Sequence, residues 1–467
     1  MTLKKCTKNN FYYLSIFIFT FFFIINYENY LGNKLIFLIF NLSSFALFFT
    51  ILNFRLSAFE FFFYIFLLLS FWFKFSCILY FDKIVVTEGD FKIINNNYDD
   101  ATIVIIFSFF TCIFASIIKN FYFGKFLNEN ILELSKPFTN FYKKYRIIIL
   151  FVFIFFLLLI CVINFKFKIY SKGLVNQDIP SYIKFFFSWS FTYGLSIITS
   201  LLIYIDFIIF KNKKYFVLGL FETFFSHMTI YSRAFFLSIF SYLRGYYYLI
   251  EVSKIKITKP LFIKSLIFIL IFSLFSFFII NELRYSNFKK KDNLEPLKIE
   301  TTIFEFVHLS VNRWVGIDGL LSVSQNKNIS FDLFISSLHE KKEIRKKSFY
   351  MNNFFKSFNY SENENKNLNI VITPGLIAFL YYSGSILFVC ISLLLVILSC
   401  SFIEKLFLYI SGKNIILTNL IGYALAVRFI HFGYVPYNTI NYLLSFFITL
   451  LVIYFLTKLI SKTNHKI

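Results

Sequence analysis

Charge is scarce in this chain. Only 15% of its 467 residues are Asp, Glu, Lys or Arg, while 58% are hydrophobic and the mean hydropathy is +0.70. A soluble fold of this length needs far more charge on its surface, so the apolar excess has to face lipid. Acidic residues are fewer still, 25 against 47 Lys and Arg. Cysteine is sparse and scattered: Cys6 precedes the first apolar run, and Cys77, Cys112, Cys161, Cys390 and Cys400 lie in or beside later ones. That spacing excludes a disulfide framework and a zinc site. There is no H-E-x-x-H, P-loop, G-x-S-x-G or C-x-x-C pattern, and no D-x-D in the 81–101 segment, so neither nucleotide hydrolysis nor a bound metal or other cofactor is indicated.

What fills the sequence instead is a series of apolar runs, each about 17–25 residues long and separated by polar punctuation, the length that crosses a bilayer as a helix. The expected spans are 11–28, 35–53, 58–80, 102–119, 146–165, 185–208, 214–231, 234–251, 264–281, 375–400, 414–431 and 440–458. The first run follows Lys4, Lys5 and Lys8 but has no small-residue cleavage site after Ile25, so it is read as an uncleaved span. The net charge of +22 does not imply nucleic acid as a partner, because the basic residues sit mainly in short connections, where the positive-inside rule expects them. The 74 Phe are as much at home in lipid as Leu and are taken as background rather than a ligand box. Clusters such as Lys143, Lys144, Arg146 and Lys254, Lys256, Lys259 put both termini in the cytoplasm; Lys166, Lys168, Lys172 and Lys184 alone argue for the opposite side. The expectation is an all-α, polytopic transmembrane helical bundle of about 12 spans. Its parts are helices 1–9 in 1–281, one large extracytoplasmic loop in 282–370, and helices 10–12 in 371–467.

The 282–370 segment is too long for a connection and too polar for lipid. Thr302 and Glu305 form a T-x-x-E capping box ahead of an amphipathic stretch, 303–323, and a second short helix is expected from Phe331 to His339. Tyr360–Asn369 reads as a polar link back to the membrane. At the next run, Pro374 suits a helix start, and Gly384 between Ser383 and Ser385 suits a close helix approach.

Ionisable groups inside spans are costly and are the first functional candidates. Glu222 and Arg244 fall at similar depth in successive antiparallel spans and are expected to pair as a structural ion pair. Arg233, Arg284, Arg313 and Arg428, the last beside His431, gather near one interface. Guanidinium forks suit phosphate, although each alone also serves as an interfacial anchor. His308 is the candidate proton-transfer residue, with Glu305 one turn away to orient it and Asp318 in reserve.

Two short stretches, Tyr231-Ser232-Arg233-Ala234 and Asn312-Arg313-Trp314-Val315-Gly316, together with Pro374–Ser385, the number of spans and one large late loop, make the chain resemble bacterial O-antigen (oligosaccharide repeat unit) polymerases of the Wzy type. Ser324 stands eleven residues after Arg313, where that family's pattern has Gly. The resemblance implies a metal-independent glycosyltransferase of the bacterial cytoplasmic (inner) membrane, acting in cell-envelope polysaccharide and lipopolysaccharide biosynthesis. It would polymerise undecaprenyl-pyrophosphate-linked repeat units at the outer face. Arg233, Arg284 and Arg428 would bind the substrate pyrophosphate, with Arg313 joining His308 and Glu305 at the reaction centre. Partners would be the lipid-linked oligosaccharide, membrane lipid, and a chain-length regulator and flippase of the same pathway. An O-antigen ligase has similar topology and a different acceptor. A polysaccharide-lipid flippase or other transporter is the rival of another class, expected to have shorter loops and paired midplane charges.

Overall fold

The computed structural model describes residues 2–81, 97–123, 134–174, 179–211, 216–232, 234–253, 259–288, 311–341, 343, 346–359 and 370–460. Among these the chain is helical throughout, with no extended strand. Nine helices come first: α1 (Thr2–Tyr27), α2 (Lys34–Asn53), α3 (Ala58–Tyr80), α4 (Asn97–Phe123), α5 (Lys136–Phe167), α6 (Ser181–Phe210), α7 (Phe216–Thr229), α8 (Phe235–Val252) and α9 (Lys259–Phe288). Four short ones follow, α10 (Ile317–Ser324), α11 (Phe331–Leu338), α12 (Phe349–Phe354) and α13 (Leu376–Leu380), then α14 (Ile386–Ile410), α15 (Ile415–Ile430) and α16 (Tyr437–Ile460). Seven of the described helices (α2 to α6, α14 and α16) are long and apolar enough to cross a membrane. Their outward faces fit that use: Ile147, Phe151 and Val162 on α5 and Leu387 and Leu395 on α14 stand exposed. The described cysteines Cys77, Cys112, Cys161, Cys390 and Cys400 are free thiols.

Helix α15 is the hub, packed on α3, α8, α14 and α6. Two glycines permit that. A Cβ on Gly422 would lie 2.6 Å from the Phe59 backbone N, and one on Gly245 of α8 would lie 2.8 Å from Ile416 Cα. The close approach expected at Gly384 is found here instead, since small residues let backbones touch. A Cβ on Gly384 would meet Ile329 only at ordinary contact distance, 3.6 Å, and this glycine serves a turn, with φ +72°. That turn also corrects the expected span 375–400. The run is split into α13, a tight turn at Tyr381–Ser383, and α14, which Ser385 starts by accepting the Phe388 N–H at 3.3 Å.

Helix α3 is buried along most of its length and carries charges near both ends. At its start the four N–H groups that a helix leaves without partners are all met by side chains. The Ser57 hydroxyl accepts from Glu60 N–H and the Glu60 carboxylate from Ser57 N–H, a capping box. Glu404 of α14 accepts from Ala58 and Phe59 N–H, both at 2.7 Å. Lys119 of α4 pairs with Glu60, and both are fully buried. Toward the other end, past a π turn at Leu68–Phe73, the buried Lys74 ammonium pairs with Asp318 and donates to the Asn312 and Trp314 carbonyls, both at 3.1 Å.

That anchor explains why the stretch 303–323 does not form one helix. Residues 301–310 lie outside the described ones, Val311 and Asn312 are helical, and the chain turns through Arg313–Gly316 before α10. Lys74 takes the carbonyls that a continuous helix would use, and Gly316 packs where a Cβ would come within 2.9 Å of the Phe71 ring. Asp318, the reserve candidate for proton transfer, is thereby paired with Lys74. The helix expected from Phe331 to His339 is present as α11, with His339 at its end.

Breaking a buried pair leaves an uncompensated charge and costs about 3–5 kcal/mol, whereas replacing both members by apolar groups is close to neutral. Asp318→Ala is therefore expected to lower the thermal unfolding temperature of the detergent-solubilised protein, and Lys74→Met with Asp318→Leu to recover most of the loss. Equal melting of wild type and Asp318→Ala would refute the anchor.

Candidate functional site

The short helices gather at the Lys74 end of the bundle, where polar residues from several turns cluster. One part of the cluster is the connection after α5. Asn164 holds it: the side-chain amide donates to the Tyr170 carbonyl at 2.9 Å, and its oxygen accepts from Tyr170 N–H at 2.8 Å. Lys172 N–H then donates to the Ile230 carbonyl at 3.0 Å, which ties this turn to the one that follows α7. Arg284, near the end of α9, donates to the Tyr231 carbonyl at 2.8 Å, and Lys168 donates to Asn287. Three chain segments far apart in sequence thus meet at Tyr231, whose φ of +55° marks a tight turn.

A second part comes from the end of α15. Arg428 donates to the Thr439 hydroxyl from Nε (3.2 Å) and Nη2 (2.7 Å), with its guanidinium 5.7 Å from the Tyr442 ring centre. His431 ends the helix in a turn that is held from two sides. Gly375 N–H donates to the Phe432 carbonyl at 3.1 Å, and Glu340 accepts from Val435 N–H at 2.7 Å and Phe349 N–H at 2.6 Å. Burial pushes the Glu340 carboxyl upward, and the two N–H donors work against that.

The electrostatics of the cluster are cationic. Burial, then Arg313 and Arg284, pull the Lys172 ammonium down to about 8. Burial, then Arg313 and Lys172, pull the His431 imidazole down to about 4, so it is neutral at physiological pH. Tyr170, two residues before Lys172, acts on Arg428. Lys172, Arg313 and His431 keep solvent-accessible side chains, while protein surrounds Lys172 and His431 at longer range. Lys172, Arg313, Arg284 and His431 thus form a cationic cluster at this end of the bundle.

Of the residues singled out in the sequence, Arg284, Arg313 and Arg428 with His431 are brought to this one end. Arg233, His308 and Glu305 lie outside the described residues. The expected pair of Glu222 and Arg244 does not form. Glu222 accepts from Ser226 (3.0 Å), Tyr242 (3.0 Å) and Ser196 (3.2 Å) hydroxyls. Arg244 instead donates to Asn419 and to the Leu56 carbonyl (3.2 Å), and stacks 4.5 Å from the Phe61 ring centre. The reason is helical geometry: Tyr242 and Arg244 are two residues apart on α8, about 200° around the helix, so both cannot face α7.

In the sequence Lys172 stands out only as an exception to the charge rule, whereas in the fold it lies within the cationic cluster. His227, Ser238 and Tyr423, which the fold connects near Lys172, are not among the residues singled out from the sequence. The rule that flagged Glu222, an ionisable group inside an apolar helix, applies equally to His227.

Cations clustered in this way have the chemistry to suit a phosphate-type anion, and the Lys172 charge is present below about pH 8 and lost above it. His431, neutral across that range, adds no charge. Inorganic pyrophosphate binding to the purified protein, measured by calorimetry, is expected to be tightest near pH 6–7 and to weaken as pH rises past about 8. Lys172→Met should weaken binding at pH 7 and flatten that slope; an unchanged slope would remove Lys172 from the site. No family model, no curated protein and no solved structure matches this chain.

Proposed function

We propose that the protein polymerises undecaprenyl-pyrophosphate-linked oligosaccharide repeat units. A growing glycan moves from its lipid pyrophosphate carrier to a sugar hydroxyl of an incoming lipid-linked unit at the extracytoplasmic face of the cytoplasmic membrane. The observation that carries this reading is the convergence of Lys172, Arg284, Arg313 and Arg428 in one cationic cluster at the end of the bundle that bears the short helices. A pyrophosphate leaving group develops negative charge as its bond to the sugar breaks, and fixed cations in an enclosed site lower that barrier without reorganising. The apolar helices would hold the carrier's hydrocarbon chain at the same depth. The acceptor hydroxyl also has to lose a proton, the role for which His308 and Glu305 are named from the sequence.

In this reading both termini are cytoplasmic, the short helices form an outer cap, and a chain-length regulator and a flippase are partners. Transport is the less favoured alternative, because Glu222 and Arg244, the charges that suggested it, are each engaged elsewhere. The ligase reading keeps the same donor chemistry and differs in acceptor.

A strain lacking the gene separates these. Loss of a polymerase leaves surface glycan one repeat long, while loss of a ligase leaves full chains stranded on the lipid carrier, and that second result would overturn the proposal. Complementation with Arg284→Ala or Arg313→Ala is expected to lower elongation roughly 10- to 100-fold, the size of one charge-assisted hydrogen bond. Glycan length on gels reads the effect.

A further inference from the structure

Near Lys172 three helices are joined by one chain of polar side chains. His227 lies in the last turn of α7 with Nδ1 2.9 Å from the Thr223 carbonyl oxygen. A carbonyl only accepts, so Nδ1 carries the hydrogen and Nε2 presents a lone pair. Nε2 is 3.1 Å from the Ser238 hydroxyl on α8, and the serine is therefore the donor. The Tyr423 hydroxyl on α15 stands 3.3 Å from the same Ser238 oxygen and donates to it. Ser238 also has the Ala234 carbonyl at 3.3 Å, the longer of its two acceptors. A hydroxyl on a base whose other nitrogen is fixed by a third group is the arrangement that activates oxygen nucleophiles. His227 and Ser238 are half-buried and Lys172 acts electrostatically on His227; Lys172 N–H donates to the Ile230 carbonyl at 3.0 Å, in the same turn whose Ser232 N–H donates to the His227 carbonyl at 2.8 Å.

We propose that His227, bridged by Ser238, is the proton acceptor beside the cationic cluster, with Tyr423 as the residue that positions the bridge. The proposal rests on the glycan-transfer reading above and names a different base from His308. In the step, the acceptor O–H bond breaks and its proton passes to the Ser238 oxygen as the serine's own proton passes to His227 Nε2. The freed electron pair bonds the sugar's anomeric carbon. The bond from that carbon to the pyrophosphate oxygen breaks, and its electron pair leaves on the pyrophosphate, beside Lys172, Arg284 and Arg313. The imidazolium returns its proton to water, and Ser238 ends unchanged.

The test uses the full chain in lipid nanodiscs with undecaprenyl-pyrophosphate-linked oligosaccharide as substrate and inorganic pyrophosphate as the binding probe. His227→Gln and Ser238→Ala should each cut kcat by roughly 100-fold or more with KM and pyrophosphate binding unchanged. Ser238→Thr, which keeps the hydroxyl, should recover most of the rate, and added imidazole should partly restore His227→Ala. Wild-type turnover in His227→Gln or Ser238→Ala would overturn the inference and leave the transfer reading standing. Parallel loss of pyrophosphate binding in those variants would overturn it too, by making the chain of side chains mere helix packing. A wild-type protein that neither binds pyrophosphate nor elongates the substrate would overturn the transfer reading itself, and the inference with it.

Discussion

The pairing of Lys74 with Asp318 deep in the bundle is what makes one end of this protein a defined place. A charge withdrawn from water has to be met by another and by hydrogen bonds, or the helix carrying it does not stay buried. Helix α3 meets that constraint at both ends. Near Ser57 it collects Glu404, Lys119 and the backbone contacts of Arg244; near Lys74 it takes Asp318 and two carbonyls of the 312–314 turn. The first set fixes α3 against α14 and α4. The second pulls the polar segment down onto the bundle and breaks it at Arg313, leaving that side chain exposed beside Lys172 and His431.

The cluster follows from that anchoring together with three further ties. Asn164 holds the turn after α5, the Tyr231 carbonyl receives Arg284, and Glu340 locks the turn after α15 to α12. Each tie uses backbone groups that would otherwise be buried without partners, so polar satisfaction and site construction are the same act. The result gathers positive charge around an imidazole that stays neutral, while a second imidazole has its tautomer set by the Thr223 carbonyl. Cations to take negative charge and a lone pair to take a proton therefore stand close together.

Much of the helical architecture was legible in the apolar periodicity, because a run of the right length in lipid has few alternatives to a helix. The split at Gly384 was not, because hydropathy does not register a left-handed turn. The gathering of Arg284, Arg313 and Arg428 at one end was legible from chain direction alone, since alternate helices deliver their ends to alternate faces. The pairing of Glu222 with Arg244 was misread because depth along a helix was matched without rotation around it. Lys74, Lys119, Glu60 and Glu404 went unremarked although each is an ionisable residue within or at the end of an apolar run, and their partners lie up to hundreds of residues away.

By itself the sequence determined that the chain is helical and apolar enough for a membrane, and which ends of its helices carry arginine. These are consequences of composition and of period along the chain, which local residues decide. Which charges meet was decided only by the tertiary structure. Lys74 chose Asp318, Glu222 took hydroxyls, and Lys172 came to lie near His227, because those outcomes depend on helix rotation, on glycine contacts such as Gly422 against Phe59, and on turns that bring distant segments together.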